Sequence, residues 1–150
     1  MSRSPKIPEP PVSPAVEQAW IALMRSQRRV FDAIERDLKQ AGLPPLTVYD
    51  VLLELDRAEA GRLRPFELAS RTLFPQPNLS RLIDRLENDG LVSREAFNKD
   101  GRGQWVVITK QGRARRAAMW NVYGAALHKH LGAKLSDEDA RKITGMLGGL

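Results

Sequence analysis

The clearest pattern of apolar and polar positions in the chain lies between residues 76 and 90. Its apolar residues follow the i, i+3, i+4, i+7 spacing of an amphipathic helix with one buried side, at Leu79, Leu82, Ile83 and Leu86. Pro77 suits the first turn of this predicted helix, and Gly90 suits a left-handed residue after its end. The other side carries residues of the kinds that bind base edges and phosphates, namely Gln76, Asn78, Ser80, Arg81 and Arg85. Taken alone, this pattern favours an ordinary solvent-exposed helix, because periodicity reports burial and not partner.

Apolar periodicity predicts further helices on both sides of this stretch. They cover residues 14–41, 48–60, 110–131 and 136–147, with a shorter helix that begins at Pro65. The first of them would span roughly 40 Å at about 1.5 Å per residue, which is more than one small core can cover. Part of its apolar surface is therefore expected to contact another chain. Thr47 and Asp50 resemble a capping box at the start of the second helix.

Two strands are predicted directly after the 76–90 helix, at residues 91–96 and 105–109, around a polar segment that contains glycine. Residues 62–64 are too short for a free strand but can pair at the edge of this small sheet. Pro75 separates the helix that begins at Pro65 from the 76–90 helix, which predicts a helix-turn-helix. A hairpin after a helix-turn-helix is a wing, so the predicted fold is mainly α (α+β), a winged helix-turn-helix. Lys99 and Arg102 at the wing tip are placed to reach the DNA backbone or the minor groove.

Length and composition limit the class of protein. A chain of 150 residues is long enough for one domain with its own core. The absence of cysteine excludes disulfides, cysteine-based redox sensing and thiolate metal sites. The sequence has no apolar run long enough to span a membrane and no apolar core of a signal peptide, which predicts a cytoplasmic protein. Residues 1–14 hold five prolines without periodicity and predict a flexible arm.

The net charge of +6 is concentrated in the middle of the chain. Residues 62–116 hold 12 of the 24 Lys and Arg residues but only 6 of the 18 Asp and Glu residues, so the flanks are neutral overall. This distribution is typical of a module that binds a polyanion such as double-stranded DNA, although a basic stripe is as often a solvated surface. Arg113, Arg115 and Arg116 begin a predicted helix against its dipole, which suggests a role toward the wing or a phosphate.

The sequence lacks the residue arrangements that are typical of enzymes. It has no nucleophile with a neighbouring base, no phosphate-binding glycine loop and no metal-spaced cluster. His128 and His130 lie two residues apart on a predicted helix, so they point about 200° apart and cannot chelate one ion together. We therefore expect a protein that is not an enzyme and that has neither a cofactor nor a metal site.

Four segments of the chain, in this order and at this spacing, resemble the multiple-antibiotic-resistance regulator (MarR) family of bacterial winged-helix transcription factors. They are residues 78–87 (Asn-Leu-Ser-Arg-Leu-Ile-Asp-Arg-Leu-Glu), residues 90–94 (Gly-Leu-Val-Ser-Arg), residues 100–102 (Asp-Gly-Arg) and residues 108–112 (Ile-Thr-Lys-Gln-Gly). Each motif alone is weakly specific, whereas the ordered set is strongly specific. The resemblance extends over nearly everything after Pro14.

The resemblance implies a transcriptional regulator, expected to be a ligand-responsive repressor, that binds a pseudo-palindromic operator as a homodimer. The implied organisation is an arm (1–14), an N-terminal dimerisation helix (15–46), a winged helix-turn-helix (47–112) and C-terminal dimerisation helices (113–150). The residues that it places on DNA are Gln76, Pro77, Asn78, Ser80, Arg81 and Arg85 from the helix, with Lys99, Asp100 and Arg102 from the wing. Asp100 resembles the wing residue that orients the arginine through a charge-assisted hydrogen bond. Gly103 and Gln104 stand where many members have a further basic residue, which predicts a more mobile wing.

Many proteins of this family bind small aromatic or phenolic effectors in a cleft between the dimer helices and the DNA-binding lobe. The residues that the resemblance makes candidates for such a cleft are Trp20, Met24, Phe31, Tyr49, Trp120 and Tyr123, with Arg28 as a counter-ion. Aromatic residues at helical spacing are more often part of a core, so the effector site is the weaker expectation.

The alternative function is a winged helix that binds proteins without sequence-specific DNA binding. A face that binds proteins more often exposes apolar anchors, whereas the 76–90 helix is expected to expose polar and cationic residues. Salt dependence separates the two functions, because a protein bound in a DNA groove loses affinity steeply as salt rises and an apolar interface does not.

Overall fold

The computed structural model describes residues 11–150, so most of the arm predicted for residues 1–14 lies outside the described residues. Pro14 itself belongs to the first helix and not to the arm. The helices and strands within residues 11–150 are α1 Pro14–Gln40, α2 Leu46–Arg57, β1 Arg62–Leu63, α3 Pro65–Arg71, α4 Leu79–Asn88, β2 Val92–Ala96, β3 Gln104–Ile108, α5 Lys110–His130 and α6 Asp137–Leu147. Short 3₁₀ turns lie at Glu59–Gly61 and Gly132–Lys134. None of these helices is long and apolar enough to cross a bilayer.

The first helix is packed against the rest of the chain over only half of its length. It begins after Ser13, whose hydroxyl accepts a hydrogen bond from the backbone N–H of Val16 at 3.2 Å. In its C-terminal half, Ile34 and Leu38 are buried in the core. In its N-terminal half, Trp20 is 61% exposed. The N-terminal half of α1 therefore carries apolar surface that the described chain does not cover.

The core lies between α2, α4, α5 and the inner face of the sheet. The central element is α2, whose Val51, Leu52 and Leu55 are fully buried. Other fully buried members come from α3, α4, the strands and α5, namely Leu68, Leu86, Val92, Val106 and Met119. Each such side chain contributes about 1.5–3 kcal/mol by leaving water, so this core holds the helix-turn-helix and the start of α5 as one packed body.

The predicted hairpin and its edge strand are both present. The sheet is antiparallel with the order β1-β3-β2, and its register pairs Arg62 with Val107 and Glu95 with Trp105. Side chains alternate along β3, so that Val106 and Ile108 are buried against the helices while the residues between them face outward. A three-stranded sheet after a helix-turn-helix confirms the predicted mainly α, winged helix-turn-helix fold.

The capping box predicted from Thr47 and Asp50 is wrong. The helix α2 already begins at Leu46 after Pro45 and has no side-chain cap. Thr47 therefore lies inside the first turn, where its hydroxyl cannot take the position of an N-cap. The backbone N–H of Leu46 instead donates to Glu35 Oε1 of α1 at 2.6 Å. The start of α2 is thus held by a neighbouring helix and not by its own first turn.

Candidate nucleic-acid interface

The start of α4 differs from the sequence prediction, whereas its end agrees. The helix begins at Leu79 after a non-helical Asn78, so Pro77 lies before the helix and not in its first turn. The backbone of the preceding connection is held by Asp50, whose two carboxylate oxygens accept from the N–H groups of Leu73 at 3.0 Å and Phe74 at 2.8 Å. At the other end Gly90 has a φ of +74°, in the left-handed region that glycine tolerates, as predicted.

One side of α4 is buried and the other is exposed. Leu82, Ile83 and Leu86 pack into the core, as the periodicity predicts. Ser80, Arg81 and Arg85 are exposed, and within residues 11–150 neither arginine takes part in an ion pair. Their hydrogen-bond donors are therefore available for base edges and phosphates.

Two acidic side chains of α4 pair with one arginine to which the sequence had assigned no role. Arg94 on β2 donates to Asp84 Oδ1 at 2.6 Å and to Glu87 Oε1 at 2.8 Å. Burial alone would lower the pKa of Arg94, but the hydrogen bonds and charges of the two carboxylates outweigh it and raise this pKa. The single positive charge of Arg94 thereby offsets part of the negative charge that would repel phosphates. The alternation of the predicted strand could have indicated that Arg94 faces the helix.

Gln76 is not part of the exposed face to which the sequence analysis assigned it. Its side chain is half-buried, and its amide Nε2 is buried without a hydrogen-bond partner among the described residues. The helical phase that placed Gln76 beside Asn78 and Ser80 does not apply, because Gln76 precedes the first helical residue of α4. Pro77 is exposed at the surface but contributes no donor.

The tip of the wing exposes the cationic residues that were predicted there. Lys99, Asp100 and Arg102 are all exposed. The predicted hydrogen bond from Arg102 to Asp100 is not formed in the described structure, because the turn closes on Asn98 instead. Asn98 Oδ1 accepts from the backbone N–H of Arg102 at 3.1 Å, and its carbonyl oxygen accepts from that of Gly101 at 3.2 Å. The guanidinium of Arg102 is left free to contact a nucleic acid.

Two of the three arginines at the start of α5 pair with α2, whereas the sequence suggests a role toward the wing or a phosphate. Arg113 and Arg116 both pair with Asp56 of α2, and Arg116 Nε lies 2.5 Å from Asp56 Oδ2. Arg115 is exposed. The physical reason is local: two cations one helical turn apart face the end of α2 and share one carboxylate. These residues therefore join the DNA-binding lobe to α5.

Two clefts adjoin the residues predicted to hold an effector. The first has a volume of about 900 Å³ and lies between α2, the end of α3 and α5, with Tyr49, Trp120 and Tyr123 in its wall. Burial raises the pKa of Tyr123, helped by the charges of Tyr49 and Asp50. The second cleft has a volume of about 650 Å³ and is an apolar space between α1, α5 and α6 that includes Phe31 and Tyr123.

Three of the predicted effector residues line neither cleft. Trp20, Met24 and Arg28 are exposed along α1, outside both walls. The assignment that the resemblance implies is not matched within one chain, because this side of α1 does not face the packed body. The cationic residues that do line the first cleft are Arg57, Arg71 and Arg116, none of which the sequence analysis had considered for this purpose.

The two histidines of α5 have different surroundings. His130 Nε2 lies 2.9 Å from Asp37 Oδ2, which joins the end of α5 to α1. His128 is exposed on another side of the helix. No group of three potential metal ligands occurs in the part of the chain that the structure describes.

Known proteins are similar to this chain in both sequence and fold. A family model described as MarR family matches residues 41–103, which contain α2, the helix-turn-helix and most of the wing. The HTH-type transcriptional regulator PrsX of Escherichia coli is 32% identical over 103 residues, which are 68% of this chain and 61% of that protein. The HTH-type transcriptional repressor YetL of Bacillus subtilis is 30% identical over 102 residues, which are 68% of this chain and 60% of that protein. The match to this chain thus spans about three fifths of the length of these relatives.

A solved structure extends the likeness to the helices outside the family model. Sco3205, a MarR family transcriptional regulator from Streptomyces coelicolor that was solved in complex with DNA, superimposes on this chain with a TM-score of 0.81. The sequence identity is 26%, and the superposition covers 93% of this chain and 88% of that chain. The long helices α1 and α5 therefore belong to the shared fold along with the winged helix-turn-helix.

Proposed function

The chain belongs to the MarR family of transcriptional regulators, and from this premise we propose that it is a sequence-specific DNA-binding regulator. The observation that carries the proposal is the exposed side of α4, where Ser80, Arg81 and Arg85 face solvent while Arg94 offsets part of the charge of the nearby acids. A helix with this polar and cationic face, as the second helix of a helix-turn-helix, suits the major groove. The DNA complex of Sco3205 supports the same use of this fold.

The proposed contacts divide between the helix and the wing. Asn78, Ser80, Arg81 and Arg85 would meet base edges and phosphates from the start and the exposed side of α4. The wing would extend this surface, with Lys99 and Arg102 beside the minor groove or the backbone, while Pro77 and Asp100 flank these contacts without donating to DNA. The half-buried Gln76 is left out of this set.

We further propose that the regulator acts as a homodimer on a pseudo-palindromic operator. The apolar residues left exposed at the N-terminal half of α1 and on α6 include Val16, Trp20, Ile143, Met146 and Leu147. These two surfaces suit a second copy of the chain, since residues 15–46 and 113–150 would then form the dimerisation helices on either side of the winged helix-turn-helix (47–112). Two winged helices related by a two-fold axis would read two half-sites.

The proposed regulator is a repressor in the cytoplasm that responds to a small effector. A dimer bound across an operator excludes other proteins from that DNA. The relative YetL, which matches this chain over 102 residues, is a repressor. The 900 Å³ cleft is suited to a small aromatic or phenolic molecule, because Tyr49, Trp120 and Tyr123 supply rings, while arginines and carboxylates both line its wall. The cleft touches both the DNA-binding lobe and α5, so an occupant would act on their relative position.

The proposal is tested by fluorescence anisotropy with a duplex that spans the DNA upstream of the gene, against a scrambled duplex, at two salt concentrations. We expect a preference for the upstream duplex and a steep loss of affinity as salt rises. Arg81→Ala should cost about 1–3 kcal/mol on the preferred duplex if this arginine reads a base. The matched control Arg141→Ala removes the same charge from α6 and should leave the affinity unchanged. Weak, equal binding to both duplexes that Arg81→Ala does not alter would contradict the proposal.

A further inference from the structure

Two arginines beside β1 lie across the outer face of the sheet and stack on aromatic rings of the wing. The guanidinium carbon of Arg64 lies 3.8 Å from the ring centroid of Phe97 and 5.7 Å from that of Phe66. The guanidinium carbon of Arg62 lies 4.4 Å from the ring of Trp105. Phe97 and Trp105 are themselves 5.2 Å apart. Together, Arg62, Trp105, Phe97 and Arg64 form one continuous row, which we call the arginine–aromatic row.

The guanidinium of Arg64 is seated over the backbone of Gly103. A Cβ atom at Gly103 would lie 2.6 Å from Arg64 Nη2 and 3.6 Å from Phe97 Cβ, so any other residue there would force the guanidinium to shift from its place on Phe97. Gly103 also has a φ of +74°. Arg64 Nε is buried without a hydrogen-bond partner among the described residues, which shows that the guanidinium is packed and not extended into solvent. A packed cation on two ring faces is held by cation–π attraction.

Arg64 lies at the base of the wing, so its packing limits how far the wing can move. Its own backbone is fixed, because Glu67 Oε2 accepts from the Arg64 N–H at 3.0 Å at the start of α3. Its guanidinium touches the last pair of the hairpin before the tip, where the Phe97 N–H donates to the Gly103 carbonyl at 3.1 Å. Arg102 is the residue directly before Gly103. Holding Gly103 against α3 therefore limits where the Arg102 side chain can go.

We propose that Arg64 is a positioning residue for the wing, whose guanidinium clamps Phe97 and Gly103 to the start of α3 and so fixes the approach of Arg102 to DNA. The proposal rests on the proposed function, in which the wing contacts DNA. The proposal also gives Gly103 a role. The sequence predicts a more mobile wing at this position, whereas in the structure the absence of a side chain leaves space for the guanidinium of Arg64. Arg64 itself acts through Arg102 and contributes no phosphate contact.

The first test measures the wing without DNA. Trypsin cuts after Lys99 and Arg102 faster when the tip is more mobile, whereas the bond after residue 64 precedes Pro65 and is not cut. Arg64→Lys keeps the charge and removes the planar stack, and we expect cleavage at the two wing sites to rise about threefold or more, with cleavage after Arg141 on α6 as the internal reference. Phe97→Leu should have the same effect from the other side of the stack. Wing cleavage at the wild-type rate in both variants would overturn the proposal.

Two glycines of the same loop provide a matched pair that tests whether Gly103 leaves space for Arg64. Gly101 and Gly103 both have positive φ, +69° and +74°, but a Cβ at Gly101 meets nothing within 4 Å. Gly101→Ala therefore adds only backbone strain, while Gly103→Ala adds the same strain and displaces Arg64. We expect faster wing cleavage for Gly103→Ala than for Gly101→Ala. Equal rates of wing cleavage for the two variants would contradict the packing of Arg64 against Gly103.

The second test asks whether Arg64 acts through Arg102. In anisotropy titrations, Arg64→Lys should weaken binding of the upstream duplex about threefold to tenfold, because Arg102 is no longer held in its position toward DNA. In an Arg102→Ala background the same change should have no further effect. Equal losses in both backgrounds would overturn the proposal in favour of a direct contact from residue 64. If the wild-type protein binds no duplex, the proposed function fails, and wing cleavage alone decides whether Arg64 positions the wing.

Discussion

At the scale of single residues, Asp50 has a larger structural role than its position inside an apolar helix suggests. It is 4% exposed, and both of its oxygens accept backbone N–H groups of the connection before α4. A buried carboxylate is tolerated only when its oxygens are satisfied, and here it satisfies two backbone donors that no helix could pair. The register of α4 on the core therefore depends on a side chain of α2.

Asp50→Asn tests this tether. An amide offers one acceptor oxygen in place of two, so the N–H of Leu73 or Phe74 loses its partner, and we expect the free energy of unfolding to fall by about 1–3 kcal/mol. Urea unfolding followed by circular dichroism measures the change. Thr47→Ala is the matched control on the same helix, because Thr47 makes no cap, and its effect should be clearly smaller. A larger loss from Thr47→Ala than from Asp50→Asn would contradict the roles that we assign to both.

The difference between Arg81 and Arg94 shows which residues of the site could be predicted from sequence. The exposure of Arg81 follows from the 3.6-residue period of its own helix, so the sequence was sufficient. The role of Arg94 depends on Asp84 and Glu87, ten and seven residues away on another element, and that of Asp50 on residues 23 and 24 positions away. Local patterns do not encode such pairings. The same reason explains the wrong placement of Gln76, whose surroundings are set by the connection and not by α4.

At the scale of elements, α2 and α5 are joined by packing and by a shared carboxylate. Met119 of α5 is fully buried, and one turn earlier Arg116 and Arg113 pair with Asp56 at the end of α2. The sequence predicts both helices, but three arginines at the start of α5 oppose the helix dipole. Asp56 supplies the missing negative charge from outside the helix, which resolves the conflict with the helix dipole.

Asp56→Asn measures what this link contributes. The side chains of Arg113 and Arg116 are 49% and 25% exposed, so solvent screens the pairs and the expected loss is only about 1 kcal/mol in low salt. The loss should shrink in 0.5 M salt, which calorimetric melting at two salt concentrations would reveal. Glu138→Gln breaks the fully solvated Glu138–Lys142 pair of α6 and serves as the control, with almost no change expected. A loss for Asp56→Asn that does not depend on salt would mean that packing, and not charge, joins the helices.

At the scale of the whole molecule, the first and last helices carry much of the apolar surface that the core does not use. Trp20 on α1 is 61% exposed and Met146 on α6 is 68% exposed, and α6 has no buried residue at all. An isolated eleven-residue helix without packing is marginal in water, so α6 needs a surface to dock on. The length of the first predicted helix had already indicated surplus surface, but the sequence could not say which residues remain uncovered.

A pair of neighbouring substitutions on α6 tests whether a second copy covers this surface. Met146→Glu places a charge among Ile143 and Leu147, whereas Gly145→Glu adds the same charge where a side chain meets nothing within 4 Å. If the face is a dimer interface, burying an unpaired charge should raise the dimer dissociation constant at least about tenfold for Met146→Glu and leave it unchanged for Gly145→Glu. Sedimentation equilibrium over a concentration series measures both constants. A Met146→Glu protein that dimerises as tightly as wild type would remove α6 from the interface, and the dimer would then have to rest on α1 alone.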